Sequence, residues 1–202
     1  TRTLNIVTIG RDLLNPHLAP PIQGLFIYNH NPVLVHPDQN TMKRALRRDD
    51  LFTVVCDVVL TDSARYADVV LPACSHFEYA DLYASYGHHF LQRAAAIIPP
   101  VGEALPNTEI FRRLARRFGF TEAAFQATDA ELMDDALALA DPRLHGLHPS
   151  QLPLDQVWPM QFQGSEAMLF QTTVPATPSG KIELYSATLE QKYGQALPQY
   201  RP

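Results

Sequence analysis

The chain has 202 residues, is 46% hydrophobic and 18% charged, and carries a net charge of −5. The apolar content suffices for a packed core, and the acidic balance argues against a nucleic-acid-binding protein, which usually shows a basic surplus or a basic face. No apolar run reaches the 18 or so residues that a membrane-spanning helix needs, so no membrane span is predicted.

The ends of the sequence indicate a piece of a longer protein. The opening residues, TRTLNIVTIGRDLL, lack the basic segment, apolar stretch and cleavage site of a secretory signal. They also lack an initiator Met, so we expect a cut fragment or a processed chain. This leaves the compartment, cytoplasmic or periplasmic, undecided.

Strand and helix signals alternate through the first half of the chain. A helix is predicted over Asn5–Leu14, a second begins near Pro37 in PDQNTMKRALRR, and a third covers Thr61–Ala67 with Thr61 as its cap. Strands are predicted over Ile22–Tyr28, Leu51–Leu60 and Asp68–Ala73. This order predicts an α/β fold with a parallel sheet and right-handed crossovers.

The second half is less regular. We predict an irregular segment over residues 74–106, a helix over Asn107–Phe120, a helix over Thr128–Ala140, a loop over Asp141–Gln163, and then a turn, a strand KIELY and a short helix within Thr177–Tyr200. Asn107 or Thr108 is the predicted cap of the first of these helices, and Gly119 its stop signal. A capping box with Glu131 is predicted to start the second.

Polar residues follow the first two predicted strands where those strands end. In LFIYNHNPVLVHPDQN the first strand stops at Asn29, His30, Asn31 and Pro32, and Asp57 interrupts the apolar run of the second strand where the strand should end. Ligands of open α/β sheets bind beyond the carboxyl ends of the strands, so these residues are candidates for a phosphate, ribose or guanine contact. An Asx-Pro turn and a strand-end cap remain the structural alternatives.

Other side chains in the sequence suggest simpler roles. Cys56 and Cys74 have no CxxC spacing and are predicted to be buried thiols. The basic cluster KRALRRDD, residues 43–50, is interpreted as a solvated helix face rather than a phosphate-binding patch. His76, Glu78, His88 and His89 could supply zinc ligands, but adjacent histidines point different ways, and a polar loop lining a pocket or an interface is the preferred interpretation.

Standard nucleotide and hydrolase motifs are missing: the sequence has no GxGxxG, GxxxxGK[ST], GxSxG or HExxH. Instead, LFIYNHNPVLVHPDQNTMKRAL, TDSARYADVVLPA, YGHHFLQRAAAIIPP, NTEIFRRLARRFGF and TPSGKIELYS follow one another in order. In order and spacing the chain resembles the later part of a molybdopterin oxidoreductase of the dimethyl sulfoxide reductase family.

The resemblance implies a Rossmann-like domain over residues 1–140 and a Pro-rich extension over 141–202 leading towards an absent C-terminal β-barrel. It implies that the Asn29–Pro32 loop, Asp57, Thr61 and Gln92 bind the guanine dinucleotide end of the molybdenum (or tungsten) cofactor. SYGHHFLQ departs from the T-N-x-E-R-x-x-Q form of the family and keeps Gln92. No catalytic residue or metal ligand is therefore assigned.

The same resemblance implies an internal fragment without the redox centre. The family's iron–sulfur cysteines and its metal ligand precede this region, so the expected partners are the N-terminal domains, the C-terminal barrel and a small-molecule substrate. An iron–sulfur cluster is expected only in the parent, and the fragment alone should bind no cofactor, turn over nothing and self-associate through exposed apolar patches. A stand-alone nucleotide- or partner-binding module and a metal-dependent hydrolase are the alternative hypotheses.

Overall fold

The structure, a computed structural model, describes residues 2–84, 86–137, 146–160, 170–171 and 174–197. The chain divides into two compact units, Thr1–Asp81 with Ala94–Leu132 and Leu82–Arg93 with Met133–Pro202. The described residues form two three-stranded sheets. Among the described residues, no helix has both the length and the apolar character that crossing a membrane requires.

The sheet of the first unit is parallel, as the alternation of elements predicts. Its strands are β1 (Gly24–Tyr28), β2 (Phe52–Asp57) and β3 (Val69–Pro72), in the order β1-β2-β3. In the register, Tyr28 pairs with Cys56, and Cys56 pairs with Leu71. The carboxyl ends of all three strands therefore lie at one edge of the sheet, and the α/β prediction is confirmed.

Four helices accompany this sheet: α1 (Ile9–Leu13), α2 (Pro32–Val35), α3 (Gln39–Ala45) and α4 (Asn107–Phe118). The prediction that Pro37 belongs to the first turn of α3 is wrong. Asp38 is the N-cap, and its carboxylate accepts a hydrogen bond from the Thr41 N–H at 3.1 Å. Pro37 thus lies outside the helix, because the next residue, Asp38, caps its first turn.

The middle strand is buried on both faces, as a strand in a covered parallel sheet should be. Val55 belongs to a cluster with residues of α1, α2 and α3, whereas its neighbour Cys56 packs with Ala73 and with Ile110 of α4. Alternate residues of β2 therefore serve two separate cores. Both cysteines are buried free thiols, as predicted.

Helix α4 ends as predicted but begins differently. Gly119 adopts a left-handed conformation at φ 75° and ends the helix. Pro106 occupies the N-cap position and makes no side-chain capping bond, so the prediction of Asn107 or Thr108 as cap is wrong. The Asn107 side chain instead bonds to residues of the sheet edge.

Helix α5 (Asp129–Ala136) begins with the predicted capping box. The Thr128 hydroxyl accepts from the Glu131 N–H at 3.2 Å, and the Glu131 carboxylate accepts from the Thr128 N–H at 2.7 Å. The predicted continuation over 138–140, and residues 141–145 and 161–163 of the predicted loop, lie outside the described residues.

The second sheet corrects the prediction of an irregular segment over 74–106. Its strands are β4 (Asp81–Ala84), β5 (Phe90–Ala94) and β6 (Trp158–Pro159), with β5 and β6 antiparallel. β5 lies between β4 and β6, and β6 is more than sixty residues further along the chain, so no local pattern marks that second pairing. Leu91 and Leu152 form the core of this unit.

The end of the described chain holds α6 (Ala187–Tyr193), capped by the Ser186 hydroxyl as a short helix should be. The short helix predicted here is confirmed. The predicted strand KIELY is wrong, since residues 181–185 form only bends and irregular backbone. An alternating pattern of apolar residues favours a strand, but the strand forms only where a neighbouring strand is placed to bond with it.

One buried hydroxyl ties together the loops that follow β1 and β2. Ser63 is 0% exposed; its Oγ donates to Asn31 Oδ1 at 2.7 Å and accepts from the Val33 N–H at 3.0 Å. The Ser63 N–H also points to Asn31 Oδ1, at 3.3 Å. This bonding joins the start of α2 to the loop after β2.

Gly10 of α1 allows close approach to α3. A Cβ added there would lie 3.1 Å from the backbone nitrogen of Met42 and 3.2 Å from its Cα. We expect Gly10→Ala to lower the free energy of unfolding by ~1–3 kcal/mol, because the helix backbones must separate. The measurement is urea denaturation. Gly24→Ala is the control: its added Cβ meets nothing within 4 Å, and an equal loss there would contradict the packing argument.

Ser63→Ala should lower the free energy of unfolding by about 1–3 kcal/mol, since it leaves the buried Val33 N–H without a partner and leaves Asn31 Oδ1 with only the longer bond from the Ser63 N–H. Thermal and urea unfolding measure the change. Thr121→Ala, which removes an exposed hydroxyl, serves as the control and should change stability by less than about 0.5 kcal/mol. Equal effects of the two substitutions would show that Ser63 does not hold the loops.

Candidate functional site

The polar residues singled out in the sequence lie along the carboxyl edge of the first sheet. Asn29 follows β1 directly, and Asp57 is the last residue of β2, one position beyond the pair Tyr28 and Cys56. Ligands of open parallel sheets bind at this kind of edge. The register therefore places the ends of the two candidate segments side by side.

Asn29 is the exposed member of its loop. Its backbone is left-handed at φ 51°, a conformation that Asn tolerates better than most residues. Its Oδ1 accepts from Nδ2 of Asn107 at 3.0 Å, and Asn107 Oδ1 lies 3.5 Å from the Cys56 sulfur. Burial raises the pKa of the Cys56 thiol, and the nearby Asp57 carboxylate raises it further.

His30 forms a pair with His36. Their Nε2 atoms are 2.8 Å apart and their ring centroids 4.9 Å apart. Burial lowers the pKa of His36, and charge on His30 lowers it further. A contact this short requires at least one neutral imidazole, because two protonated rings would offer no acceptor. The two rings are therefore joined by one N–H to N hydrogen bond.

Asn31 and Pro32 turn inward. The side-chain Oδ1 of Asn31 accepts a hydrogen bond from the Ser63 hydroxyl, and Pro32 is buried as the first residue of α2. Proline suits this position because the first helical N–H has no partner within the helix. In the structure these two residues shape the loop, and Asn31 does so through Ser63, since its side chain makes no capping bond to α2.

Asp57 keeps most of its hydrogen-bonding capacity. Its Oδ1 accepts from the Val58 N–H at 2.8 Å, and the side chain is partly exposed. Three apolar residues follow, Val58, Val59 and Leu60, which are 53%, 64% and 65% exposed. Thr61 then caps the next turn, its hydroxyl accepting from the Ala64 N–H at 3.2 Å. The edge thus combines a carboxylate with an exposed apolar surface.

Gln92 belongs to the second unit. It lies on β5 and is exposed, and it lines a cavity of about 320 Å³ together with Tyr83, His88, Phe90 and Val157. His88 Nδ1 accepts from the Phe90 N–H at 3.1 Å. The structure therefore gathers Asn29–Pro32, Asp57 and Thr61 within the first unit and Gln92 within the second.

The residues considered for zinc have other roles where the structure describes them. Glu78 is buried and accepts from the N–H groups of Ser75 and Val101, both at 2.6 Å. The hydrogen bonds from Ser75, and then that from Val101, lower the pKa of Glu78. Across the described ranges, no group of three or more His, Cys, Asp or Glu residues is arranged to hold a metal ion.

Sequence reasoning missed two residues that shape this edge. Ser63 lies within TDSARYA and carries no local signal, because its partners are about thirty residues away. Asn107 was predicted as a helix cap, and its position at the start of α4 was the available signal. Both act through contacts that only the folded chain creates.

Known proteins with similar sequences indicate the family of this chain. The sequence profile of the molybdopterin oxidoreductases matches residues 9–117. The probable oxidoreductase YoaE of Bacillus subtilis (strain 168) is 43% identical over 203 residues, covering 100% of this chain and 29% of that protein. Trimethylamine-N-oxide reductase 1 of Escherichia coli (strain K12) is 32% identical over 192 residues, covering 84% of this chain and 22% of that protein.

A solved structure shares the fold. The acetylene hydratase from Pelobacter acetylenicus superposes with a TM-score of 0.71 at 24% identity, over 98% of this chain and 26% of that chain. This chain spans less than a third of each of these three proteins. Because the family profile covers more than half of the 202 residues, the chain belongs to the molybdopterin oxidoreductase family.

Proposed function

We propose that this chain holds the guanine dinucleotide end of a molybdopterin cofactor at the carboxyl edge of its parallel sheet, as one part of a longer oxidoreductase. The carrying observation is that exposed Asn29 and partly exposed Asp57 each lie one position beyond the paired residues Tyr28 and Cys56, at the ends of neighbouring strands. Family membership supports a pterin cofactor with molybdenum or tungsten in the parent. The guanine dinucleotide form is the finer part of the proposal.

The residues present fit the chemistry of that group. A guanine base offers adjacent N–H donors, and the Asp57 carboxylate can accept two such bonds, since only one of its oxygens has a backbone partner. The pyrophosphate offers anionic oxygens, for which the Asn29 side-chain N–H and a ring N–H of His30 are suitable donors. The exposed side chains of Val58, Val59 and Leu60 offer apolar surface for the flat base or for a neighbouring part of the parent.

The other predicted residues have supporting roles in this proposal. Asn31 and Pro32 keep the loop in place through Ser63 and α2, and Thr61 adds a polar contact near Asp57. Gln92 is proposed as a further contact, contributed from β5. The division at residue 140 and an iron–sulfur cluster elsewhere in the parent remain predictions.

When bound, the cofactor would supply the redox chemistry, a transfer of electrons or of an oxygen atom at its metal. The chain's own residues would bind and orient: Asp57 accepts hydrogen bonds from the base, Asn29 and His30 donate hydrogen bonds to phosphate oxygens, and Ser63 holds the loops that carry them. The parent would act on a small substrate, and the C-terminal and N-terminal domains would be the partners of this chain.

Titration of the ¹⁵N-labelled chain with GDP tests the nucleotide site. We expect shifts of the Asn29, His30 and Asp57 amides at millimolar GDP, with weaker binding of ADP. Asp57→Asn should raise the Kd for GDP roughly tenfold, since a charge-assisted bond contributes about 1.5–3 kcal/mol, and should remove the preference over ADP.

Asn40→Ala, an exposed residue of α3, is the matched control for Asn29→Ala, and only the latter should weaken binding. A folded chain that shows no shift at Asn29, His30 or Asp57 would contradict the site assignment.

Metal analysis of the full-length protein from its own host tests the parent's function. Mass spectrometry should find molybdenum or tungsten in stoichiometric amount with the polypeptide, because the pterin carries the metal. A correctly folded full-length protein with neither metal, after growth with both supplied, would overturn the oxidoreductase proposal and favour a binding module.

A further inference from the structure

Three side chains connect the buried end of β2 with the exposed loop after β1. The Cys56 sulfur lies 3.5 Å from Asn107 Oδ1, and Asn107 Nδ2 lies 3.0 Å from Asn29 Oδ1. Cys56 is 2% exposed, whereas Asn29 is exposed. The connection therefore runs from a dry core to the solvent at the strand edge.

The chemistry of the three groups gives this connection a direction. A thiol is a weak donor and a weaker acceptor, whereas an amide presents an oxygen that only accepts and a nitrogen that only donates. The Cys56 S–H therefore favours the Asn107 oxygen as its neighbour. The Asn107 nitrogen then faces Asn29 and requires the Asn29 oxygen in front of it.

The opposite orientation is less favourable. If both amides were reversed, the Asn107 nitrogen would point at the Cys56 sulfur, and the Asn29 nitrogen would donate to the Asn107 oxygen instead of facing solvent. The bond between the two amides would remain, but the S–H to oxygen contact would be replaced by an N–H to sulfur contact, and the thiol hydrogen would lose its acceptor in a buried site. Because burial raises the pKa of Cys56, its thiol keeps that hydrogen at neutral pH.

We propose that Asn107 is a positioning residue that, through its bond to Cys56, turns the amide nitrogen of Asn29 outward as a hydrogen-bond donor. Asn29 would then select an anionic oxygen, such as one of a pyrophosphate, over the N–H edge of a base. This rests on the nucleotide site proposed above and assigns the two halves of that ligand: phosphate to Asn29 and base to Asp57.

The direction of the connection also accounts for the backbone of Asn29. A residue at φ 51° is held in a sparsely populated conformation, and the bond to Asn107 is the side-chain contact that stabilises it. Asn107 is the first residue of α4, a helix of 12 residues, so the anchor is attached to a regular element rather than to another loop. The donor is thereby presented in a defined direction.

The first test uses the ligand-free, ¹⁵N-labelled chain and reads the side-chain NH₂ signals of Asn29 and Asn107. Cys56→Ala should shift both pairs of signals and speed their hydrogen exchange, because the amides lose their preferred orientation. Cys56→Ser, which keeps a donor at the same place, should leave them near their original positions. If Cys56→Ala leaves the NH₂ signals of Asn107 and Asn29 unchanged, Cys56 does not orient the two amides. That conclusion holds whether or not the chain binds nucleotide.

The second test titrates sodium pyrophosphate and follows the Asn29 NH₂ signal. Asn107→Ala should raise the Kd for pyrophosphate roughly fivefold to tenfold, which corresponds to about 1–1.4 kcal/mol, whereas Cys56→Ser should change it less than twofold. Asn40→Ala is the control for a lost amide on a helix of the same unit. Far-UV circular dichroism and a melting curve show that each variant is folded.

The outcomes separate the two proposals. Side-chain signals that respond to Cys56→Ala, with no binding of pyrophosphate or GDP, would leave the orientation standing and overturn the nucleotide site. Binding that survives Asn107→Ala unchanged would overturn the positioning role of Asn107 and leave the nucleotide site standing.

Discussion

The arrangement of the carboxyl edge depends on the bonds of one buried hydroxyl, that of Ser63. It donates to the side-chain Oδ1 of Asn31 and accepts from the Val33 N–H, so the loop after β1 cannot move without the loop after β2. Since an unpaired polar group is costly in a dry site, these bonds are satisfied only when both loops are in place. The geometry available to a ligand is therefore set before any ligand arrives, which reduces the ordering that binding requires.

The two asparagines of the loop after β1, Asn29 and Asn31, have different roles. Asn31 points inward and its Oδ1 accepts a hydrogen bond from Ser63, whereas Asn29 points outward and its Oδ1 accepts a hydrogen bond from Asn107. The inward residue stabilises the loop, and the outward one is left with capacity for a ligand. The same division occurs after β2, where Thr61 caps a turn and Asp57 keeps an oxygen without a backbone partner. At each strand end, one polar side chain holds the backbone and another is available.

Several expectations could be read from local pattern alone because short-range physics controls them. The parallel sheet followed from apolar runs alternating with helical periodicity, the stop at Gly119 from its tolerance of positive φ, and the capping box from Thr128 and Glu131 three residues apart. The errors arose where a distant partner decides. The segment that contains β5 was predicted to be irregular, yet β5 pairs with the distant Trp158–Pro159. Local alternation misled only in KIELY, where residues 181–185 form bends and irregular backbone.

By itself, the sequence determined which side chains end the strands of the first sheet, because parallel strands joined by short helices must end at one edge. It could not decide what each of those side chains does there. Whether Asn29 or Asn31 faces outward depends on Ser63 and Asn107, which lie 32 and 78 residues further along the chain from Asn31 and Asn29 respectively. Hydrogen-bond partners at such separations are brought together only by packing, so the tertiary structure alone assigned the inward and outward roles.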